Sequence, residues 1–365
     1  MQYRTYGNTG KQVSALGYGA MRLPFADPDE SVRLMQLGMD LGINYLDTAF
    51  GYGEGRSETY VGKAIAGRRD KVYIASKNPC WSDETPEGWW QRLETTLERL
   101  HTDYIDFYKV VHSITWEQFA RAYEPTLQKE ALKAKEQGII KHIVFSVHDT
   151  PENIMKLVET GLFEGMLLQY NLLDRKNEDA IARAHELGMG VEIMGPVGGG
   201  RLGMHSEKLE NLVPSAASTA ELALRFVLAN PSVTIAFSGM NTEQQIRENC
   251  AVASREEPLS GAEIEAINQA LQDNQRLAEL YCTGCGYCLP CPQGVAIPKV
   301  FAAMNMHRVW GLTAHAKEMY AQIGKANEGE NDASACIQCG QCEPKCPQKI
   351  NIIEQLEETH QALSD

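Results

Sequence analysis

Short apolar runs alternate with longer amphipathic stretches along the first three quarters of the chain. The apolar runs contain few polar residues, which is the pattern of strands that are buried on both faces. The runs predicted as strands are 13–19, 44–49, 71–77, 104–112, 142–146, 165–169, 190–194 and 233–239. The stretches predicted as helices are 29–42, 57–67, 86–100, 117–137, 151–160, 175–187, 218–229 and 242–252.

This series of strand–helix units predicts an α/β protein whose parallel sheet closes into a (β/α)8 barrel, the TIM barrel. A doubly wound open sheet is the alternative, because it is built from the same units. That fold usually carries a G-x-G-x-x-G turn after its first strand. Here the first strand is followed by AMRLPFAD, so the barrel is favoured.

The last quarter of the chain has a different composition, and the change is abrupt at Tyr281. Residues 260–278 have the period of a helix that packs on the outside of the barrel. Helical periodicity returns at 297–310, 314–324 and 350–363. We therefore expect two domains, the barrel over residues 1–278 and a small all-α domain over residues 279–365.

Charge and hydropathy narrow the range of partners. The formal net charge of −14 disfavours nucleic acid and anionic membranes, which bind surfaces rich in Lys and Arg. The chain contains no apolar stretch of the roughly 18 residues that a membrane span requires. The polar opening MQYRTYGNTGK lacks the pattern of a signal peptide. We expect a cytoplasmic protein that acts on a small molecule.

Eight of the ten cysteines lie in two short runs, CTGCGYCLPCP over 282–292 and CIQCGQCEPKCP over 336–347. The second run has the C-x2-C-x2-C-x3-C-P spacing of bacterial [4Fe–4S] proteins, whose fourth cysteine ligates the other cluster. The first run is one residue shorter before its fourth cysteine. The pattern predicts two [4Fe–4S] clusters, one held by Cys282, Cys285, Cys288 and Cys346, the other by Cys336, Cys339, Cys342 and Cys291.

Two structural zinc ions are the alternative for these runs, although zinc seldom needs four cysteines so close together. The long helical insert between the runs resembles the α-helical ferredoxins of fumarate-reductase-type iron–sulfur subunits. Clusters near solvent are labile to oxygen, so we expect an anaerobic source. Cys80 and Cys250 lie outside the runs, and most such cysteines are buried and inert. Cys80 follows Lys77 closely enough to lie near the barrel mouth.

Four polar side chains follow or end three successive predicted strands, where parallel barrels carry their catalytic residues. Asp47 ends the second strand and Tyr52 follows in its loop, Lys77 ends the third strand, and His112 ends the fourth. A buried ammonium beside a phenol favours the phenolate and lowers the tyrosine pKa. A carboxylate keeps the ammonium charged, and a neutral imidazole orients a carbonyl. Such a set can give a proton to a carbonyl oxygen while hydride reaches its carbon.

The segments LDTAFGYG, IASK and VVHS resemble the signature of the aldo-keto reductases, and the resemblance covers about residues 1–278. The opening YRTYGNTGKQVSALGYGAMRL is similar to that family's hairpin and first strand. The resemblance implies a carbonyl reductase that uses a nicotinamide nucleotide. It also implies a catalytic tetrad of Asp47, Tyr52, Lys77 and His112, with Tyr52 as the general acid.

The resemblance also implies a set of nucleotide-binding residues. Ser146 and Gln169 match positions that hold the nicotinamide carboxamide, and Met194 replaces a stacking tyrosine. The full set is Met21, Asp47, Ser146, Gln169, Met194, Gly195, Pro196, Val197, Gly199, Ser238, Gly239, Met240, Gln245, Glu248 and Asn249. Gly239 and Gln245 stand where NADPH-selective members carry Lys and Arg. The sequence therefore leaves both NADH and NADPH open.

Three functions fit these features. The first and preferred one is a carbonyl reductase whose clusters connect it to a redox partner such as a ferredoxin or flavoprotein. The second is an electron-transfer module that passes electrons to a flavin or to a bound substrate, and the third is a redox-sensing regulatory subunit. Nicotinamide moves two electrons and iron–sulfur clusters move one, so FMN is conceivable, although no motif marks a flavin site. Four tryptophans follow the third and fourth strands, and they suit either an apolar or aromatic carbonyl substrate or, equally well, surface packing: Trp81, Trp89, Trp90 and Trp116.

Overall fold

A computed structural model describes residues 1–79, 85–282, 286–325, 329–346 and 350–364. The chain forms two compact units. The first comprises Met1–Gly199 and Ala223–Pro258, and the second comprises Gly200–Leu222 and Leu259–Asp365. No helix in the described ranges is both long and apolar enough to span a membrane. The domain boundary expected at 278/279 stays a prediction.

The first unit contains a hairpin and a closed parallel barrel. The hairpin strands are β1 (Tyr3–Thr5) and β2 (Gln12–Ser14). The barrel strands are β3 (Leu16–Gly19), β4 (Tyr45–Asp47), β5 (Tyr73–Pro79), β6 (Ile105–His112), β7 (Ile140–Ser146), β8 (Gly165–Gln169), β9 (Gly190–Met194) and β10 (Ile235–Ser238). They follow chain order around the barrel, and β10 pairs with β3 to close it. The (β/α)8 prediction is confirmed.

The helices of the barrel region follow the strands in turn. They are α1 (Pro28–Asp40), α2 (Arg56–Ala64), α3 (Pro86–Leu100), α4 (Trp116–Gln118), α5 (Gln128–Glu136), α6 (Pro151–Glu159), α7 (Glu178–Glu186), α8 (Glu207–Glu210), α9 (Thr219–Ala229) and α10 (Glu243–Ala253). The carboxy-terminal helices are α11 (Gly261–Tyr281), α12 (Ile297–Arg308), α13 (Thr313–Gln322) and α14 (Ile352–Leu363). The small helical domain that the sequence predicted is therefore confirmed.

Local sequence explains several of these helix boundaries. Asp27, Thr85 and Thr150 each accept a hydrogen bond from a backbone N–H in the first turn of α1, α3 and α6. A proline follows each cap, where the missing N–H costs nothing because that group has no partner within the helix. Between α4 and α5 the chain forms a π-helix over Phe119–Leu127 that contains Pro125. The sequence predicted one regular helix there, and a proline cannot continue the regular hydrogen-bond ladder.

Aromatic rings fill the end of the barrel nearest the hairpin. The Tyr6 ring centre lies 4.2 Å from that of Phe107, and the Tyr45 ring centre lies 5.2 Å from it. A methyl group on Gly165 or Gly190 would come within 2.1 Å of the Tyr6 side chain, so both strands approach it closely only because they carry glycine there.

The single strand predicted over 13–19 is two strands in the structure. Its first part belongs to β2 of the hairpin, and its second part is β3 of the barrel.

The second unit has its own apolar core, built by α12, α13 and α14 around residues such as Val300, Phe301 and Leu356. Six of the described cysteines pack against this core, namely Cys282, Cys288, Cys291, Cys336, Cys342 and Cys346. The stretch Gly200–Leu222 also belongs to this unit. Within it, Ser206 Oγ donates a hydrogen bond of 2.7 Å to the carbonyl oxygen of Trp310.

Candidate active site

The four expected catalytic residues lie on neighbouring strands at one rim of the barrel. Asp47 is the last residue of β4, Lys77 lies in β5, and His112 ends β6. Tyr52 begins a short 3-10 turn, Tyr52–Gly55, in the loop after β4. Because β4, β5 and β6 are parallel and adjacent, their carboxyl ends bring these side chains together.

A bulge in β6 explains why its last inward-facing residue is His112. Opposite the two steps from Lys77 to Pro79 on β5, β6 takes three steps from Lys109 to His112. Side chains alternate between faces along a regular strand, so residues three apart would point to opposite sides. The extra residue restores the alignment. Both Lys109 and His112 consequently belong to the side of β6 that carries the active site.

Asp47 pairs with two buried lysines. Its Oδ2 contacts Lys77 Nζ, and its Oδ1 lies 2.9 Å from Lys109 Nζ. Lys77 Nζ also donates a hydrogen bond of 2.6 Å to the carbonyl oxygen of Thr48. Burial alone would raise the pKa of the Asp47 carboxyl, but the charges of Lys109 and Lys77 outweigh it and hold the pKa below its ordinary value. Asp47 is therefore ionised near neutral pH.

Tyr52 lies between Lys77 and His112. Lys77 Nζ is 4.8 Å from the centre of its ring, and the His112 ring stands edge-on to it at 5.8 Å. Burial and the negative charge of Asp47 raise the pKa of Tyr52 well above its ordinary value. The sequence predicted the opposite direction, because it counted the ammonium beside the phenol but not the burial of the phenol, which is the largest cause of the shift. Tyr52 is therefore held as the phenol, which can donate a proton.

His112 is uncharged in its buried position beside Lys77. Burial, followed by the positive charge of Lys77, lowers its pKa to about 4. The imidazole is therefore neutral at physiological pH. A neutral imidazole can donate a hydrogen bond to a carbonyl oxygen without competing with Tyr52 as the proton source.

Two of the expected nucleotide-binding residues border this rim. The Ser146 Oγ, at the end of β7, accepts a hydrogen bond of 2.8 Å from the Ser113 N–H. Gln169 ends β8 beside Gly195, where a methyl group would come within 2.6 Å of Gln169 Oε1. Gly195 has a φ of 64°, which favours glycine and starts the turn that continues through Pro196, Val197 and Gly199. Met194 packs against the barrel core just before this turn.

The remaining expected nucleotide residues lie around the turn after β10 and beside β3. The Asn249 amide donates a hydrogen bond of 3.1 Å to Ser238 Oγ, which links α10 to the end of β10. Gln245 Oε1 accepts a hydrogen bond of 2.9 Å from the Asn241 N–H. Glu248 lies on the exposed face of α10, where its Oε1 accepts from the Gln244 amide at 2.8 Å. Exposed Gly239, buried Met240 and exposed Met21 complete the set.

Two charged residues near the site were missed from the sequence. Lys109 is fully buried, and the signal was a lysine in the middle of a strand predicted to be buried on both faces. Arg22 is exposed, and its aliphatic carbons lie beside Gly239, where a methyl group would be 3.3 Å from Arg22 Cβ. A methyl group on Gly199 would lie 3.9 Å from an Arg22 terminal nitrogen. Arg22 therefore lies between the turns that follow β9 and β10.

The structure gives packing contacts for the three of these tryptophans that it describes. Trp89 is fully buried, and its indole N–H donates a hydrogen bond of 3.0 Å to the Val110 carbonyl oxygen, so it is part of the core. Trp90 donates to Glu130 at 2.9 Å, and Trp116 stacks on Phe119 with ring centres 5.3 Å apart. Trp81 and Cys80 lie outside the described residues. Cys250 is a buried free thiol in α10, as expected.

In the second unit, five cysteines line one pocket: Cys288, Cys291, Cys336, Cys339 and Cys342. Four of them form one of the two predicted ligand sets, and Cys288 belongs to the other. Cys282 and Cys346, also of that other set, pack against the same core, and Cys285 lies outside the described residues. Thiolates are the preferred ligands of iron–sulfur clusters, so the donor chemistry of this pocket fits such a group.

The described residues contain no group of three or more Cys, His, Asp or Glu side chains arranged to hold a single metal ion. A cube-shaped cluster needs a wider arrangement of ligands, because each thiolate binds a different iron atom. The fit of a cluster to this unit therefore rests on the shared pocket and on the spacing of the two cysteine runs.

Comparisons with known proteins give a match for the barrel and a separate match for the cysteine-rich region. Residues 15–272 match the model of the Aldo/keto reductase family, and residues 281–351 match that of the 4Fe-4S dicluster domain. Oxidoreductase YqkF of Bacillus subtilis is 28% identical over 305 residues, which cover 73% of this chain and 95% of that protein. L-galactose dehydrogenase of Arabidopsis thaliana is 28% identical over 312 residues, covering 75% and 96%.

Solved structures give the same result for the barrel. The holo form of aldo-keto reductase AKR11C1 from Bacillus halodurans superposes with a TM-score of 0.65 at 29% identity, over 74% of this chain and 96% of that one. An aldo-keto reductase of Klebsiella pneumoniae in complex with NADPH has a TM-score of 0.61 at 25% identity, over 74% and 95%. The protein is thus an oxidoreductase that belongs to the aldo/keto reductase family and carries a 4Fe-4S dicluster domain after its barrel.

Proposed function

We propose that the barrel reduces an aldehyde or ketone with a nicotinamide nucleotide, and that Tyr52 gives the proton to the carbonyl oxygen. The observation that carries this proposal is the grouping of Tyr52, Lys77 and His112 at one rim, with Asp47 beneath Lys77. When bound, the nucleotide supplies hydride to the carbonyl carbon. The neutral His112 orients the carbonyl oxygen toward the Tyr52 hydroxyl. Lys77 stabilises the negative charge that develops on the phenol oxygen as the proton leaves.

The proposed nucleotide site runs from Ser146 and Gln169 to the turn after β10. Ser146 and Gln169 would hold the carboxamide, and the turn from Gly195 to Gly199 would cover the nucleotide. Two Klebsiella pneumoniae structures, one in complex with NADPH and one with NADP and acetate, favour the phosphorylated nucleotide for this chain by similarity. The turn after β10 carries the uncharged Gly239 and Gln245 where NADPH-selective members carry Lys and Arg. Arg22 lies against Gly239, so it would supply the positive charge for the phosphate groups.

We propose that the second unit binds two [4Fe–4S] clusters with the ligand sets given above. Support comes from the spacing of the cysteine runs and from the pocket that Cys291 shares with Cys336, Cys339 and Cys342. Two structural zinc ions are the competing assignment. Iron and acid-labile sulfide content of anaerobically purified protein separates them, because zinc sites contain neither.

We further propose that the clusters exchange electrons with a ferredoxin or flavoprotein. Three large apolar side chains within the cysteine runs are exposed, with exposures of 65% for Tyr287, 42% for Leu289 and 62% for Ile337. We propose that they contribute to a docking surface, since contiguous exposed apolar patches mark protein-binding surfaces. A flavin would solve the mismatch between two-electron and one-electron chemistry, but FMN in the barrel has no support from any described residue.

One experiment tests the reductase and separates it from the alternatives. Anaerobically purified protein is mixed with NADPH or NADH and a panel of aldehydes and ketones. Oxidation of the nucleotide is followed by the loss of absorbance of the reduced nicotinamide. Turnover with a carbonyl compound alone supports the reductase. Turnover only with a ferredoxin or flavoprotein supports the electron-transfer module, and nucleotide binding without turnover in either assay supports a regulatory subunit.

A further inference from the structure

Beneath the tetrad, the barrel interior holds a second buried ion pair. Lys109 Nζ lies 2.6 Å from Glu192 Oε2, and both side chains are fully buried. The same Lys109 Nζ lies 2.9 Å from Asp47 Oδ1. Lys109 therefore joins Asp47, at the rim, to Glu192, deeper in the barrel on β9.

Glu192 is held by two phenols as well. The Tyr6 hydroxyl donates to Glu192 Oε1 at 2.6 Å, and the Tyr45 hydroxyl donates to the same oxygen at 2.7 Å. Tyr6 comes from the turn of the hairpin and Tyr45 from β4, so three separate elements fix one carboxylate. Two ammonium groups and two carboxylates thus balance each other in the interior. Burying these four charges costs desolvation free energy even though they are paired, whereas apolar side chains could fill the same space. The arrangement therefore points to a role beyond packing.

We propose that Lys109 and Glu192 are positioning residues for the carbonyl reduction, which fix the Asp47 carboxylate so that its other oxygen holds Lys77 beneath Tyr52. This inference rests on the proposed function. Lys109 occupies Oδ1 of Asp47 and leaves Oδ2 for Lys77. Glu192 lies on the far side of Lys109 from Asp47, so it keeps Lys109 charged in the interior.

The electrostatics agree with this role. Lys109 is the strongest of the charges that keep the pKa of Asp47 low against the effect of burial. The charge of Lys109 also acts to lower the pKa of Tyr52, against the larger effects of burial and Asp47. The titratable groups that interact with Asp47 from all elements around it are Lys77, Lys109, Tyr52, His112, Tyr6 and Tyr45. Of these, only the two lysines pair with its oxygens.

The test compares two variants of the full-length protein that remove charge without changing volume much. Lys109→Met/Glu192→Gln removes both charges of the pair together, and Glu192→Gln alone leaves Lys109 in place. The control is Lys135→Met/Glu164→Gln. It removes another lysine–glutamate pair, in which Lys135 Nζ lies 2.6 Å from Glu164 Oε2, but this pair is partly exposed and does not contact the tetrad. Asp47 is followed by carbon NMR of protein labelled at the aspartate carboxyl, and its signal is assigned by its absence in Asp47→Asn.

In Lys109→Met/Glu192→Gln, we expect the Asp47 titration to move up by at least about one pH unit, because an opposite charge at this distance lowers a carboxyl pKa by 1–3 units. We expect kcat to fall about tenfold or more, while the KM for the nucleotide changes less than about twofold. In Glu192→Gln the Asp47 titration should also move up, but by less than in the double variant, because Lys109 remains but loses the carboxylate that keeps it charged and in place. The control should leave both kcat and the Asp47 titration as in the wild type.

An unmoved Asp47 titration and an unchanged kcat in the double variant would overturn the proposal and leave the pair a structural one. An Asp47 titration that does not move up in Glu192→Gln alone would overturn it as well, and this variant is informative even if the double variant does not fold. The NMR titration does not depend on turnover. A wild-type protein without carbonyl reductase activity would therefore refute the proposed function while the role of Lys109 on Asp47 is still measured.

Discussion

Lys77 Nζ lies over the face of the Tyr52 ring, 4.8 Å from its centre, and Asp47 holds the lysine there. An ammonium in this position attracts the electrons of the ring and stabilises the phenolate that forms when the proton leaves. The phenol and the ammonium therefore act together, and the loss of the hydroxyl removes the proton donor without removing a charge.

We expect Tyr52→Phe to lower kcat for carbonyl reduction by about 10²–10⁴-fold, the usual contribution of a general acid. The nucleotide should still bind, and the iron content should not change. Tyr104→Phe is the control, because Tyr104 precedes β6 at the other end of the barrel. Activity of Tyr52→Phe equal to that of the control would show that another group donates the proton.

The pH dependence of the reductase follows from Tyr52 and His112. Tyr52 stays protonated through neutral and mildly alkaline pH, and His112 is neutral above its pKa of about 4. We expect kcat to be nearly constant between about pH 6 and pH 9 and to fall as the pH approaches 4. His112→Gln cannot titrate, so its residual activity should lack the limb at pH 4.

The same histidine should affect stability in the acid range. Its pKa is about 6.5 in an unfolded chain and about 4 in the folded protein, so the unfolded state binds a proton first as the pH falls. The stability contributed by the neutral imidazole is complete above about pH 6.5 and is lost progressively toward pH 4. Thermal unfolding midpoints should therefore fall less between pH 7 and pH 4.5 for His112→Gln than for the wild type. An equal fall in both proteins would contradict the lowered pKa.

Arg22 should contribute to nucleotide binding through phosphate groups. We expect Arg22→Met to raise the KM for NADPH about tenfold, or about 1.4 kcal/mol of binding free energy, because hydrogen bonds to phosphate from Arg are strong. An effect on NADPH alone places Arg22 at the 2′-phosphate, whereas an equal effect on NADH places it at the pyrophosphate. Arg33→Met is the control, since Arg33 already pairs with Glu30 and Glu243 on the surface. Unchanged KM values for both nucleotides would exclude Arg22 from the site.

The cysteine assignment predicts a selective loss of one cluster. Cys339→Ser should remove about half of the iron and sulfide, because Cys339 serves only one of the two predicted ligand sets. Cys250→Ser should keep the full content, because that thiol is buried in α10. Iron analysis and the paramagnetic resonance of the reduced protein measure this difference. Full iron content in Cys339→Ser would refute the ligand set that includes it.

The sequence was sufficient for the parts of the molecule that depend on local pattern. Strands β8 and β9 and helix α3 have the predicted bounds, and Asp47, Lys77 and His112 end or occupy the expected strands. The pattern of apolar residues could not show the bulge in β6. One extra residue changes which side chains point into the barrel, but it leaves the strand as apolar as before. The pKa direction of Tyr52 was wrong because it depends first on burial and then on the opposing charges of Asp47 and Lys109, which only the packed barrel defines.

The stretch Gly200–Leu222 has a consequence for how this protein could be divided. Gly199 is the last residue of the first unit before the chain enters the second, so the proposed nucleotide turn continues directly into the unit that bears the cysteines. A protein cut after the barrel at a single point would therefore keep Ser206 but lose Trp310, the residue whose carbonyl it binds. The iron–sulfur unit therefore cannot be removed as one continuous segment, and transferring it to another barrel requires three junctions, at 199/200, 222/223 and 258/259.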